Sequence, residues 1–174
     1  MTIIRNLFGE EDREGEESRA QQNALNSSRL GRYAEFIVCA ELTRLGYYVT
    51  HVDAPGFDLI LTVENASLRV QVKSTMQTRD GFCIWKCVHR CAIGPGQRLD
   101  LQKPITKAQA DVLALYHHEL RSTVFLPVEG RRIIRLPVSQ VRNHDAAISL
   151  RAVLDRLYPV EPSEPTASDD DELA

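Results

Sequence analysis

The sequence lacks any long hydrophobic run. No apolar stretch among its 174 residues approaches the roughly 18–20 residues of a membrane-spanning helix. Residues 1–5 lack the extended apolar segment of a signal peptide, and no internal repeat is evident. With 43% hydrophobic and 26% charged residues, the composition is typical of a soluble globular chain. We therefore expect a cytoplasmic protein with one folded domain and no membrane partner.

Cysteine is also scarce, and the chain has only four: Cys39, Cys83, Cys87 and Cys91. A cytoplasmic setting argues against disulfides. The last three are spaced C-x3-C-x3-C with a histidine among them, which is close to the spacing of zinc ligands. However, residues 82–90 are predicted as a strand, along which these side chains would spread over about 25 Å. A buried sheet face explains the cysteines better, so we do not expect zinc, and a zinc-stabilised interaction module is only an alternative.

Acidic residues are concentrated at the two ends of the chain. Residues 1–18 hold six acids and two bases, and residues 159–174 hold six acids and no base. The residues between them carry 12 acids and 19 bases, a net charge of +7. Such a basic region suits a polyanionic partner, although a solvated basic surface explains it equally well. We expect a disordered acidic arm over 1–26, a folded domain over 27–158 and a disordered acidic tail over 159–174.

Hydrophobic periodicity predicts two longer helices and one short helix. Apolar residues repeat at helical spacing from about Ser28 to Leu45, where Gly46 is expected to end the helix. The second helix covers 146–157 and stops before Pro159. A short helix is predicted over 105–110, because a proline precedes it at the first turn.

Runs of β-prone residues predict strands at 47–52, 57–63, 68–75, 82–90, 111–116, 123–128 and 133–138. The tight connection at 64–67 predicts an antiparallel hairpin between the second and third strands. The nearly all-apolar run at 111–116 predicts a strand that is covered on both sides. This order predicts an α/β fold with a mixed β-sheet flanked by helices.

Four polar residues stand out against this framework. Asp58 opens the second strand, while Gln71 and Lys73 are two apart on the third strand and so point to one face. Glu35 lies seven residues before Leu42, about 20° away around the helix and on its apolar side. A carboxylate is costly there unless it is paired or metal-bound. Taken singly, Asp58 is typical of a turn and the Gln-x-Lys pair of a solvated sheet face; their order and spacing make them specific.

Together these residues suit phosphodiester hydrolysis. The reaction needs a cation for the scissile phosphate, an activated water and charge stabilisation on the leaving oxygen. Asp58 is the expected direct ligand of Mg²⁺, with Gln71 and Glu35 completing the ligand shell. Mn²⁺ is expected to substitute for Mg²⁺. Lys73 would orient or activate the water and offset developing negative charge.

The same order of residues resembles the PD-(D/E)xK nuclease superfamily over roughly residues 28–128. The resemblance implies a restriction-endonuclease-like core ordered α-β-β-β-α-β and a metal-dependent DNA endonuclease. Similar members are group I intron homing endonucleases and archaeal Holliday junction resolvases. By this resemblance Asp58 matches the central Asp, Gln71 the second acidic position and Lys73 the lysine, while Glu35 matches the helix-borne acid of resolvase-like members. Glutamine at position 71 departs from the motif and puts two-metal chemistry in doubt.

Basic residues are the candidate contacts to the nucleic-acid backbone: Arg32, Arg69, Arg79, Lys86, Lys103, Arg131 and Arg132, with Arg90, Arg98, Lys107 and Arg135 as further cations. Cutting two strands needs two active sites, so we expect a homodimer or higher homo-oligomer. Two alternatives stay open: a catalytically inactive nucleic-acid-binding protein of the same fold, and a structure-selective junction resolvase. The sequence leaves the target open between a specific duplex site, a branched junction and RNA.

Overall fold

The computed structural model describes residues 7–64, 66–91 and 101–159. The helices are α1 (Leu7–Arg44), α2 (Val138–Arg142) and α3 (Ala146–Leu157). The strands are β1 (Tyr48–Ala54), β2 (Phe57–Val63), β3 (Ala66–Thr75), β4 (Thr78–Arg79), β5 (Phe82–Lys86), β6 (Val88–Cys91), β7 (Leu101–Pro104), β8 (Val112–His117), β9 (Ser122–Pro127) and β10 (Ile133–Pro137).

Helix α1 begins at Leu7, far before the predicted start near Ser28. Residues 7–26 form part of α1, whereas residues 1–6 and 160–174, which include most of the expected acidic tail, lie outside the described ranges. This stretch is rich in Glu, Arg, Gln and Ala, which favour helix without any apolar stripe. Most residues from Gln22 to Arg29 are correspondingly exposed. No described helix is long and apolar enough to cross a membrane.

The C-terminal end of α1 is closed as predicted by Gly46, which has a φ of +93°. Its amide donates to the carbonyl of Thr43 at 3.0 Å, and the amide of Tyr47 donates to the carbonyl of Leu42 at 3.2 Å. This pair of bonds is a Schellman motif, and it requires the left-handed backbone that glycine adopts without strain. The chain therefore turns directly from α1 into β1.

The central sheet has the strand order β1-β2-β3-β8-β9. The predicted hairpin of β2 and β3 is confirmed, with Leu59 opposite Val70 and Val63 opposite Ala66. Strand β3 pairs with β8 in parallel, whereas the other neighbours are antiparallel, so the sheet is mixed. All six residues of β8 are buried, which confirms the prediction of a strand covered on both faces.

Helices α1 and α3 cover one face of this sheet. Leu59, Leu61 and Val70 from the strands pack there with Val38 of α1 and Leu150 of α3, and each is at most 1% exposed. The first turn of α3 is capped by the carboxylate of Asp145, which accepts from the amide of Ala147 at 2.8 Å. The opposite face is covered by a small sheet, ordered β10-β5-β4, and by α2. The prediction of a mixed sheet flanked by helices is confirmed.

The predicted crossover helix at 105–110 is wrong. The described part of the link between β3 and β8, residues 76–91 and 101–111, contains only strands and turns. A single turn forms at Thr106, whose carbonyl accepts from Gln109 N at 2.9 Å and Ala110 N at 3.2 Å. The side chain of Gln109 also accepts from Thr106 N at 3.1 Å. These local bonds complete one turn, and a side chain that bonds to a nearby backbone amide competes with helix formation.

The predicted cysteine strand is two strands, β5 and β6, which part at Cys87. The amide of Cys87 donates to the carbonyl of Arg132 at 2.8 Å, and its own carbonyl accepts from Ile105 at 3.2 Å. Cys83, Trp85 and Cys87 are 0% exposed and share the face turned toward the central sheet. The prediction that these cysteines lie on a buried sheet face is confirmed for Cys83 and Cys87, while the side chain of Cys91 lies outside the description.

Candidate active site

The hairpin of β2 and β3 brings Asp58 and Gln71 together. Backbone pairing between the strands ends at Leu59 and Val70, so the next residue of each strand is opposite the other. There the carboxylate of Asp58 replaces the backbone as the partner of β3. Its Oδ2 accepts a hydrogen bond from the amide of Val72 at 2.7 Å and a short one from Nε2 of Gln71. The strand alternation seen in the sequence therefore places both side chains on one face.

The amide group of Gln71 lies between two oxygen atoms. Besides Oδ2 of Asp58, its Nε2 donates to the carbonyl of Val72 at 3.3 Å. Gln71 is only 6% exposed, so this position is poorly hydrated. Half a turn of the amide would place Oε1 where Nε2 lies, because the two ends of the group have nearly the same shape. Three oxygen atoms would then converge: Oδ2 of Asp58, the carbonyl oxygen of Val72 and Oε1 of Gln71. Oxygen atoms are the ligands that Mg²⁺ prefers. The residues fit a hard cation.

Glu35 reaches the same region from α1. Its Oε2 accepts from Nη1 of Arg32 at 3.0 Å and lies 2.8 Å from Nε2 of His51. Its side chain is 17% exposed, and these partners offset the cost of placing a carboxylate on the apolar side of the helix. Arg32 Nη1 also lies 3.0 Å from the same His51 nitrogen. All three groups therefore meet at one point.

The sequence reasoning missed His51. It lies on β1 directly opposite Leu59, the neighbour of Asp58, and its ring stacks on Phe36 with centroids 5.1 Å apart. The signal that could have found it is the turn at 54–56, which implies that β1 folds back along β2 and brings His51 beside Asp58.

Burial and neighbouring charges alter the acidity of Asp58. Burial raises the pKa of its carboxyl, and the nearby Glu35 carboxylate adds to this effect. The amide of Val72 and the positive ends of Lys73 and His51 oppose it. Since charges on α1, β1 and β3 all influence one carboxyl group, the tertiary fold gathers them into a single electrostatic cluster.

Lys73 completes this cluster from β3. Burial lowers the pKa of its ammonium group, while the charges of Asp58, Cys87 and Glu35 oppose that shift. Lys73 makes no ion pair with a described carboxylate. An ammonium group that releases its proton more readily than usual and is not held by a partner suits proton transfer or phosphate binding.

The described side chains contain no group of three or more His, Cys, Asp and Glu residues arranged to hold a metal ion. The reason is chemical, because the second position of the carboxylate pair is the amide of Gln71 and Glu35 is turned toward Arg32 and His51. In this arrangement the oxygens nearest to Asp58 are the side-chain amide of Gln71 and the carbonyl of Val72.

Comparison with known proteins identifies the family. The sequence matches the PD-(D/E)XK endonuclease family over residues 25–153, which include α1 from residue 25, the whole hairpin and β8. The chain belongs to the PD-(D/E)XK endonuclease family. This confirms the superfamily that the sequence resembles. No curated protein sequence matches the chain significantly.

A solved structure is similar to this family member in fold. It is the bacterial homing endonuclease I-Ssp6803I, with a TM-score of 0.58 and 20% sequence identity. The similarity covers 75% of this chain and 95% of the homing endonuclease. At this identity it shows a shared fold, and that fold places Asp58, Gln71 and Lys73 on adjacent strands of the central sheet.

The predicted nucleic-acid contacts of this endonuclease family member are not equivalent in the structure. Arg69 bonds Asp111 through Nη2 at 2.9 Å and Nε at 3.1 Å, and the carbonyls of Ala108 and Lys107 at 2.6 and 2.8 Å. Its donors are used inside the protein, so we leave Arg69 out of any proposed interface. Arg32 is held at Glu35.

The other predicted contacts lie at the surface. Arg79, Lys86 and Lys103 are exposed. Arg131 pairs with Glu129 at 2.9 Å with 69% of its side chain exposed, and Arg132 donates to the carbonyl of Gln102 at 2.9 Å. Arg79 and Lys86 are on the small sheet that covers the second face of the central sheet.

Proposed function

We propose that the protein is a metal-dependent DNA endonuclease that hydrolyses phosphodiester bonds, and that its active site is formed by Glu35, Asp58, Gln71 and Lys73. The observation that carries the proposal is the amide of Gln71, which is held between Asp58 Oδ2 and the carbonyl of Val72 beside Lys73. Two buried oxygen atoms that both accept a hydrogen bond from one N–H group create a negative potential between them, and this potential also attracts a cation.

Asp58 and Gln71 would hold the metal ion, with Glu35 as a further ligand once it leaves Arg32 and His51. Mg²⁺ fits this set because it takes few carboxylates and keeps several waters, and Mn²⁺ would substitute. When bound, the ion supplies neutralisation of the scissile phosphate and a more acidic water. Gln71 carries no charge, so the Gln-x-Lys pair supports one metal ion rather than two.

Lys73 would act on the phosphate or on the attacking water. Its ammonium group donates to a phosphate oxygen, and the lowered pKa lets it exchange a proton at a lower pH than an ordinary lysine. Asp58 anchors the strand pair through the amide of Val72, which keeps Lys73, one residue further on, at a fixed position relative to the carboxylate. Cleavage of both strands of a duplex would require a second copy of this site in a homodimer or higher oligomer.

A nucleic-acid-binding protein of the same fold without catalysis is the second candidate. The neutral Gln71 favours it, because a site with fewer charged ligands binds Mg²⁺ more weakly. Such a protein would bind DNA with a steep salt dependence and yield no product with Mg²⁺.

The test is cleavage of supercoiled plasmid and of a synthetic four-way junction, each with Mg²⁺, Mn²⁺ or EDTA. The variants are Lys73→Ala and, as a control, Arg151→Ala, which removes an exposed cation of α3. We expect metal-dependent cleavage that Lys73→Ala abolishes and Arg151→Ala retains, with unchanged circular dichroism. Preference for the junction would indicate a resolvase. DNA binding without cleavage by the unaltered protein would instead support the binding-only candidate.

A further inference from the structure

The small sheet has one face against the core and one face free. In β5, Cys83 and Trp85 are 0% exposed and contact the central sheet, whereas Phe82, Ile84 and Lys86 alternate with them and point away. Strand β10 repeats the pattern, with Ile134 buried and its neighbours on the other side. We call the outward side chains the outer face: Arg79, Phe82, Ile84, Lys86, Ile133 and Arg135.

The outer face combines apolar and cationic side chains in pairs across the strands. The registers place Arg79 opposite Phe82, Arg135 opposite Ile84, and Lys86 opposite Ile133. These residues line a depression of about 410 Å³. Phe82 and Ile133 are 42% and 51% exposed, and both line this one depression together with Ile84, so the apolar side chains of the outer face form a patch rather than isolated surface residues.

The charge of the outer face selects the class of partner. Three cations border the depression, and the one acid among its described lining residues is Asp80, which pairs with Arg79 at 3.3 Å. Lys86 and Arg135 have no ion pair with a described carboxylate. A protein partner favours an apolar centre depleted of lysine, whereas here every apolar residue has a cation beside it. A partner that carries many negative charges and also exposes apolar groups fits the outer face better than a protein partner does.

We propose that the outer face binds duplex DNA in a groove and selects the site at which the enzyme acts. The proposal rests on the proposed endonuclease function and adds the surface that recognises the substrate. The major groove admits a β-ribbon, its phosphates and guanine edges suit Arg and Lys, and thymine methyl groups suit Phe82 and Ile133.

The outer face is joined to the active site at both ends of its hairpin. Strand β3 continues from Thr75 into β4, where Gln77 N donates to Thr75 Oγ1 at 2.9 Å and Ile84 N donates to the carbonyl of Gln77 at 3.1 Å. At the other end, Lys86 is followed by Cys87, which is buried in the same cluster as Leu115, the residue of β8 that lies opposite Lys73. DNA held on the outer face would therefore keep a fixed position relative to Lys73.

The hairpin turn keeps this face in shape. Asp80 and Gly81 have φ of +52° and +77°, as in the tight turns whose twist matches that of the flanking strands. The sheet is further supported from behind, where Trp85 Nε1 donates to the carbonyl of Tyr116 on β8 at 3.1 Å. A rigid surface loses little conformational entropy when it binds.

The experiment measures duplex binding in EDTA, so that cleavage plays no part. The probes are a fluorescent mixed-sequence duplex, a single-stranded RNA, and a randomised duplex pool for selection. The face variant is Lys86→Gln with Arg135→Gln. The control variant is Arg44→Gln with Arg151→Gln, which removes two exposed cations from α1 and α3. A third variant, Phe82→Ala, tests base contacts.

We expect the face variant to bind about tenfold more weakly, with a log–log salt slope shallower by about 2, since each phosphate contact contributes about 0.9. The control variant should bind within about twofold of the unaltered protein, and Phe82→Ala should relax the selected sequence. Equal binding by the face and control variants would overturn the proposal, even if the protein cleaves DNA. So would a lack of duplex binding or a preference for RNA. Duplex binding through this face without cleavage in Mg²⁺ would refute the endonuclease and leave the surface standing.

Discussion

Replacing Gln71 with glutamate perturbs the central contact of the candidate site. Gln71 is 6% exposed, and its Nε2 donates to both Asp58 Oδ2 and the carbonyl of Val72. In Gln71→Glu these donors disappear and a carboxylate takes their place. Three oxygen acceptors then face one another with little water, which is unfavourable unless a proton or a cation lies between them.

The expected magnitude follows from these contacts. Loss of a hydrogen bond to a charged group costs about 1.5–3 kcal/mol and loss of a neutral one about 1 kcal/mol. We therefore expect the free energy of unfolding in EDTA to fall by about 2.5–4 kcal/mol. At about 2–4 °C per kcal/mol for a domain of this size, Tm falls by roughly 5–16 °C. Mg²⁺ at about 100 times its Kd would return about 2.7 kcal/mol.

The assay is thermal unfolding with EDTA or MgCl₂, and the control is Gln140→Glu, the same change at an exposed position. We expect Gln71→Glu to be destabilised in EDTA and to gain more from Mg²⁺ than the unaltered protein, while the control shows neither effect. If Gln71→Glu and Gln140→Glu have the same Tm in EDTA, the amide does not make the bridging contacts described above. If Mg²⁺ stabilises none of the proteins, the proposed metal site is refuted.

Three further predictions concern charged residues. Asp58→Asn should abolish cleavage yet stabilise the metal-free protein at neutral pH, because burial raises the pKa of Asp58. Unfolding scans should show that the unaltered protein loses stability as pH rises from 3.8 through that raised pKa, whereas Asp58→Asn does not. Lys73→Met should also abolish cleavage. The unaltered protein should gain stability as pH rises from the lowered pKa of Lys73 toward 10.5, since the folded state binds fewer protons there. If the stability of Lys73→Met changes with pH in the same way as that of the unaltered protein, this expectation is wrong. Arg69→Ala should lower the free energy of unfolding in urea by about 1–2 kcal/mol, allowing for partial exposure. It should leave DNA affinity nearly unchanged, since the donors of Arg69 bond Asp111 and two carbonyls. A large loss of DNA affinity with normal stability would instead place Arg69 in the DNA interface.

Elements set by local signals were predicted best. Strand β2 at 57–63 and helix α3 at 146–157 have the predicted bounds, because turn and stop residues flank a clear apolar pattern. Gly46 ends α1 through a left-handed backbone that local sequence alone specifies. These features depend on residues close in the chain, so no long-range contact is needed to infer them.

Elements that depend on distant partners were predicted less well. The stretch 105–110 carries a helix signal, yet its Ile105 amide donates to the carbonyl of Cys87 and its Gln109 Nε2 lies 3.1 Å from Nδ1 of His89. The cysteine run looks like one strand, yet Cys87 bonds Arg132 and the chain changes partner there, from β10 to β7. Neither outcome can be read from local propensity, because the competing bonds come from side chains and strands elsewhere.

For the candidate site, the sequence by itself determined that Asp58 opens one strand and that Gln71 and Lys73 share a face of the next. Strand alternation and a tight turn suffice for this. Only the tertiary structure decided that the Gln71 amide lies between Asp58 and the carbonyl of Val72, and that His51 meets Glu35. It likewise turned Arg69 inward to Asp111. Side-chain partners depend on which segments pack together, and burial and charge in that packing decide the chemistry of each group.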